Sequence, residues 1–416
     1  MMRLVSFLVV FLVALPAVAQ DAVLRAERML DVRSGEIVSP AVVVVENGVI
    51  AAVNPDNPPE ITDDLGDVTL LPGLMDAHTH LSFQLEPGAF MRSVQETAAD
   101  EALRGAQMAR RTLLAGFTTV RNVGSKWFTG PALARATAAG TIDGPEIIPA
   151  GWSLGTTGGH CDDTGWAPGV LERGPEQGVA DGVDQVLRAV RYQIKHGARV
   201  IKTCATAGVL SFEASVGLQQ YSNDELRAMV EEAARHDMKV AAHAHGPEGI
   251  LAAVRAGVAS IEHGSILNEE IFAEMKARGT YLVPTTYLVD VIDLENLPPP
   301  IRAKAEYVLP LARESLEGAI AAGVPIAFGT DAGVYPHGEN AREFAVLVRL
   351  GMSPADAIRT ATIHTADLLG LSDRGALEAG LRADIISVPG NPLQDITALE
   401  RVQLVMKQGR IYKRGE

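Results

Sequence analysis

The sequence predicts an α/β fold: a (β/α)8 TIM barrel with a small β-sandwich formed by the N- and C-terminal segments. Three observations predict it. Short apolar strand segments alternate with amphipathic helical segments eight times between residues 70 and 330, which is the size and order of such a barrel. Both ends of the chain are β-patterned. No glycine-rich dinucleotide or phosphate fingerprint follows any strand, which argues against a doubly wound sheet.

Composition sets the outer limits. The 416 residues are 47% hydrophobic and 21% charged, with 40 Gly and 23 Pro, an ordinary globular balance that excludes disorder and collagen-like repeats. Net charge is −15 with no run of Lys or Arg, so a nucleic-acid partner is not expected. Aromatic content of 5% weakens a base-stacking role further.

The first element is Met1-Met2-Arg3, an apolar run from Leu4 to Leu15, Pro16 and the small residues Ala17-Val18-Ala19. This is the layout of a signal peptide spanning 1–19 and cleaved before Gln20. The apolar run is short for a membrane span, and no Cys follows it for lipid attachment. The expectation is an exported, periplasmic protein with no stable membrane span after cleavage.

Residues 20–69 are expected to form the first part of the sandwich. Asn47-Gly48 between Val42–Val45 and Val49–Val53 is a strong hairpin signal. The barrel is expected over 70–372. Its strands end in Asp76-Ala77-His78, Thr118-Thr119-Val120, Ile147-Ile148-Pro149, Val200-Ile201-Lys202, Val240–His243, Ser260–His263, Tyr281–Val283 and Ile326–Phe328. Ser222 with Glu225 predicts a capping box, and Ser353-Pro354 starts a further helix after the eighth unit. The glycine-rich stretch 151–182 is too long for an ordinary connection and is read as a functional loop. Residues 373–416 turn β again and complete the sandwich.

The chemistry concentrates at the strand ends. His78 and His80 lie two apart on a strand and therefore share a side. Lys202, His243, His263 and Asp331 each sit at, or just past, the end of another strand, and in a barrel those ends converge on the site. Imidazole and carboxylate donors suit Zn²⁺ and related divalent ions. Singly, each histidine is more simply a satisfied structural residue; jointly, the metal site is the better reading, because buried polar groups are costly unless they serve something. A buried protonated lysine beside metal cations is unfavourable. Lys202 makes sense either as a modified, anionic ligand or as a salt-bridge partner of Asp331.

The chain resembles the amidohydrolase superfamily, and within it the imidazolonepropionase-like branch that includes Xaa-Pro dipeptidase-type enzymes. The stretches that carry the likeness are Leu71-Pro72-Gly73-Leu74-Met75-Asp76-Ala77-His78-Thr79-His80, Val200-Ile201-Lys202, Ala242-His243-Ala244-His245-Gly246, Ile261-Glu262-His263-Gly264, Gly329-Thr330-Asp331-Ala332-Gly333, Ala383-Asp384-Ile385-Ile386 and Gly390-Asn391-Pro392-Leu393. They cover nearly all of the chain after the signal segment.

The resemblance implies two divalent metal ions, zinc by type. His78, His80 and Asp331 would hold the more buried one and His243 and His263 the second. Lys202, as a CO₂-derived carbamate, would bridge them. A hydroxide between the metals would attack the carbonyl of a C–N amide bond, with Asp331 as base and then acid. The substrates implied are dipeptides of the Xaa-Pro kind or N-acyl amino acids, whose free carboxylate must be recognised. His160, Tyr221 and Arg121 are the candidates for that contact. His245 is a candidate for polarising the carbonyl and Tyr287 for lining the pocket. The bland alternatives are that Tyr221 braces the helix entry and that Arg121 pairs with a loop carboxylate.

Cys161 and Cys204 fall near the expected pocket, either as a bracing disulfide or as two inert thiols. The alternative function is a mononuclear cyclic-amide or amidine hydrolase or deaminase of the imidazolonepropionase type, which has no use for a bridging carbamate. A scaffold without activity is the non-enzymatic alternative, against which the intact ligand set speaks. Self-association into a homo-oligomer is left open.

Overall fold

In the computed structural model, residues 21–213 and 215–415 are described. The expected signal peptide, 1–19, lies outside the described residues. Valine-rich strands Ala41–Glu46 and Val49–Val53 pair antiparallel, and Asn47 and Gly48 between them take φ of 52° and 80°. That is the expected hairpin, in the left-handed backbone region that an Asn-Gly turn tolerates. The hairpin continues through Ala22–Ala26 to Asp63–Asp64 in one four-stranded sheet.

A second, six-stranded sheet joins the two ends of the chain. Strand Ile385–Pro389 lies between Leu404–Lys407 and Val68–Pro72, antiparallel to both. Leu24, Val43, Val45 and Ile50 share an apolar core with Leu70, Ile385, Leu404 and Met406, so residues from both ends bury one another. Strand Val68–Pro72 crosses the expected division at 69/70 and runs almost directly into Leu74–Thr79. Gly73 forms the joint, where a Cβ would stand 2.2 Å from Thr118 Oγ1.

Every strand pair in the middle of the chain is parallel. Glu146–Pro149, Phe117–Asn122 and Leu74–Thr79 form one sheet, and Ile201–Cys204, Val240–Ala244, Ser260–His263 and Tyr281–Val283 form another. Isolated parallel bridges link them at Leu154–Thr203, Leu282–Ile326 and Thr79–Ala332. Seven of the eight expected strands are therefore strands. The eighth, Ile326–Phe328, is reduced to a bridge position. It still bonds on both sides, since Ala77 N–H donates to the Phe328 carbonyl at 2.8 Å and Ala327 N–H to that of Leu282 at 3.0 Å. Pro325 has no N–H to extend the ladder.

The expected helix caps form. Ser222 and Glu225 make the reciprocal capping box of helix Asn223–Ala234, and Ser353 caps a helix whose first residue is Pro354. That last helix is interrupted after Arg359. Residues Thr360–His364 form a π turn, in which the Thr360 carbonyl accepts the Phe328 N–H and the Thr365 hydroxyl. Side-chain and strand donors thus compete for carbonyls that an unbroken helix would use. Leu74, Phe117, Val120, Ile201, Val240, Ile261 and Phe328 fill the main core. Burying each such side chain contributes roughly 1.5–3 kcal/mol. Among the described residues no helix is long and apolar enough to cross a membrane.

Candidate active site

The C-terminal ends of the parallel strands open into one cavity of about 620 Å³. His78, His80, Lys202, His243, His263 and Asp331 all line it. All three tryptophans of the chain, Trp127, Trp152 and Trp166, line it as well. Phe83, Phe90, Met91, Trp127 and Phe212 remain exposed among its lining residues, an unusual concentration of large apolar groups facing solvent.

Asp331 anchors the first group of donors. Its Oδ1 lies 3.4 Å from Nε2 of both His78 and His80. The ligand atoms of His78, His263 and Asp331 lie within 4.8 Å of one another. His263 and Asp331 hold φ of 70° and 58°, backbone positions that cost energy for residues other than glycine and cluster at functional sites. Burial keeps the imidazoles of His80 and His245 neutral at pH 7, with pKa values of about 4 and about 3, and that of His243 well below the ordinary value. Neutral imidazole is the metal-binding form.

Behind His78 stands a buried network that sequence reasoning did not assign. His78 Nδ1 and Glu262 Oε2 are 2.7 Å apart, and Glu262 Oε1 accepts from Arg121 at 2.7 Å and from Ser260. Burial alone would raise the Glu262 pKa; Arg121 and His78 outweigh it and bring the carboxyl down to about 2. A carboxylate on the far nitrogen of a ligand histidine fixes its tautomer and orientation. Glu262 stands beside His263 within a stretch already singled out, and that adjacency was the available signal. Asp76 is equally buried and accepts the His78 N–H at 2.9 Å, Thr330 at 2.6 Å and Asn340 at 2.8 Å.

Three of the expected substrate contacts stand elsewhere. Arg121 is not at the cavity: it is 1% exposed and spends its donors on Glu262, Ser260 and the Ala77 carbonyl, because it points inward from its strand. Its partner is a carboxylate, but Glu262 of strand Ser260–His263 rather than the loop carboxylate expected. Tyr221 is buried, lines no part of the cavity and keeps a hydroxyl with no partner among the described residues. Tyr287 packs edge-on against Tyr335 at 5.1 Å and accepts from Arg342 at 3.0 Å, away from the lining. His245 also stays behind the lining, its Nδ1 2.8 Å from Ser265 Oγ and its ring stacked on His263.

His160 does reach the cavity. Its ring stacks on His243 at 4.1 Å, and its Nδ1 lies 2.6 Å from Ser211 Oγ and 3.6 Å from Glu213 Oε1. The glycine-rich stretch contributes Trp152, Ser153, His160, Asp163, Trp166 and Arg173 to the lining, as expected of a functional loop. Cys161 and Cys204 form a disulfide, with Cα atoms 5.8 Å apart, tying that loop to the end of strand Ile201–Cys204.

The residues fit a divalent metal. Nε2 of His243 is buried with no hydrogen-bond partner among the described residues, an orphan that a metal would satisfy. Lys202 is 3% exposed and forms no ion pair among the described residues, so the salt bridge to Asp331 is not present; burial brings its amine down to about 8.

A family model described as the amidohydrolase family matches residues 69–412. An ochratoxinase of Aspergillus niger is 36% identical over 370 residues, covering 83% of this chain and 75% of that protein. An imidazolonepropionase of Paracoccus denitrificans is 25% identical over 420 residues, covering 84% and 88%. Among solved structures, a Xaa-Pro dipeptidase with bound methionine in its active site is 37% identical, with a TM-score of 0.90, 95% of this chain and 100% of that one covered. A prolidase complexed with N-methylphosphonate-L-proline is 32% identical with a TM-score of 0.87, covering 95% and 100%.

Proposed function

This chain belongs to the amidohydrolase family and is a hydrolase acting on C–N bonds, and we propose that it cleaves dipeptides of the Xaa-Pro kind or N-acyl amino acids. The observation that carries this reading is the convergence of His78, His80, Lys202, His243, His263 and Asp331 on one cavity, with His243 Nε2 left unpartnered. Relatives that act on peptides or amides support it. The apolar mouth suits substrates with apolar side chains or acyl groups.

His78, His80 and Asp331 would hold one divalent ion, taken as zinc, His243 and His263 a second, with a carbamate on Lys202 between them. When bound, these ions supply Lewis-acid activation of water and of the scissile carbonyl. Glu262 keeps His78 in the tautomer that presents Nε2. Asp331 accepts the proton of the attacking water and returns it to the leaving amine. His160 meets the substrate carboxylate from the glycine-rich loop. The same reading takes the bridged parallel strands as one closed (β/α)8 barrel and the two terminal sheets as one β-sandwich around their shared core. Residues 1–19 act as an export signal, and the Cys161–Cys204 disulfide suits an oxidising compartment such as the periplasm.

A screen of dipeptides and N-acyl amino acids with metal-loaded protein tests the proposal; if nothing with a free carboxylate is cleaved, it fails. Among the described residues, the gathering of only His78, His263 and Asp331 within 4.8 Å favours a second reading, a mononuclear cyclic-amide hydrolase of the imidazolonepropionase type. Full activity with one metal equivalent would select that reading over the first.

A further inference from the structure

The wall of the cavity nearest His160 is a loop, residues 206–213 and 215–219, that follows strand Ile201–Cys204. An antiparallel bridge, Thr206–Gln219, closes its base. Its far side docks on helix Pro299–Ala322 through a small separate core in which Val209 meets Ile301, Ala305 and Val308. Within that apolar contact lies a buried lysine. Lys304 Nζ donates to the carbonyls of Gly208 at 2.8 Å, Ser211 at 2.7 Å and Glu213 at 3.2 Å, so all three of its N–H groups are spent on one loop.

The loop held this way is the one that meets His160. Ser211 Oγ is 2.6 Å from His160 Nδ1, and Glu213 Oε1 is 3.6 Å from the same nitrogen while accepting the Gly208 N–H at 2.9 Å. Gly208 lies against the imidazole so closely that a Cβ there would stand 2.3–2.5 Å from three of its ring atoms. His160 Nε2 has no protein partner among the described residues. One nitrogen is occupied from the loop side and the other is free, in a ring that lines the cavity.

We propose that Lys304 is a positioning residue for substrate binding. Its ammonium draws three carbonyls together, which sets Ser211 against His160 Nδ1 and leaves Nε2 to meet the substrate carboxylate. The loop already has an apolar dock and a closed base, and the three carbonyls that fill the donors of Lys304 flank the residues that meet His160. Burying an ammonium opposes folding unless its donors are filled. The proposal rests on the assignment of His160 above; Lys304 itself bonds only to loop carbonyls.

The test is steady-state kinetics on an N-acyl amino acid that the wild type cleaves, with titration calorimetry of L-methionine as a second readout. Lys304→Met keeps the length and the apolar contact but removes the three donors. KM and the dissociation constant are expected to rise about tenfold, the loss of a hydrogen-bonded charge, with kcat within about twofold. Gly208→Ala, which displaces the ring, and Ser211→Ala are expected to reproduce this split. In a His160→Ala background Lys304→Met should add nothing. Additive effects, a fall confined to kcat, or unchanged affinity overturn the proposal. Should Lys304→Met not fold, Lys304→Gln, which keeps the amide donors but loses the third donor and the charge, is read by the same split. If the wild type binds L-methionine but hydrolyses nothing, the proposed function fails while the dissociation constants still judge Lys304; if it does neither, both fail.

Discussion

His78 and His243 both end parallel strands and both face the same cavity, yet they are held differently. His78 has protein groups at both ring nitrogens: Glu262 at 2.7 Å, itself clamped by Arg121, and Asp331 at 3.4 Å. His243 has a buried Nε2 with no partner among the described residues; it stacks on His160 at 4.1 Å and meets His263 edge-on at 4.7 Å. One half of the centre is preset by hydrogen bonds running from strand to strand. The other depends on loops, tied down by the Cys161–Cys204 disulfide and by Lys304. Defects in the first half should therefore appear as lost stability, and defects in the second as lost ligand binding.

The largest expected effect belongs to Asp331, which serves catalysis rather than either support. Asp331→Asn should lower kcat by roughly 10²–10⁴ with the protein still folded. Unchanged turnover would remove the proton shuttle. Next is Arg121→Met, which strands the buried Glu262 charge and should cost about 3–5 kcal/mol in urea unfolding. A loss confined to substrate affinity would instead restore Arg121 to the substrate and abolish the contrast. Glu262→Gln should weaken metal binding by about 10–100-fold in a chelator competition. His243→Ala should lose part of the bound metal while the metal-free protein melts almost where the wild type does. A melting shift as large as that of Arg121→Met would show that the two halves are equally structural.

The smallest effect concerns pH on the loop-built side. Glu343 accepts the Thr286 and Tyr287 N–H groups at 2.8 and 2.6 Å, behind Thr285, whose hydroxyl lies 2.8 Å from His263 Nδ1. Burial pushes this carboxyl up to about 8 from its ordinary 4.5. Between those values the folded state keeps a proton that the unfolded chain has released, so stability falls as pH rises through that window. Glu343→Gln should flatten the melting temperature across it, with a gain at pH 8 and none at pH 4. A gain at pH 4 instead would contradict the raised pKa.

Much of this was legible from the sequence, and the reason is locality. The Asn47-Gly48 turn, the Ser222–Glu225 box and the two-residue spacing of His78 and His80 depend on neighbours a few positions apart. The strand endings could be read because apolar runs stop where the polar donors begin. What could not be read depends on partners far along the chain. Arg121 meets Glu262 across 141 residues, and Cys161 meets Cys204 across 43. The eighth strand thinned to a bridge because Pro325 cannot donate and the π turn at Thr360 claims Phe328 N–H instead.

By itself the sequence determined which residues carry donor chemistry and that they stand at strand ends, since periodicity and residue type are properties of short segments. Only the tertiary structure decided which side chains face the cavity and which are consumed beneath it. Arg121, Tyr221, Tyr287 and His245 looked eligible by position, and packing turned each away from the lining. Glu262 and Lys304 drew no role from their positions, and burial gave each one, because a charge removed from water must be met by groups that only the folded chain brings within reach.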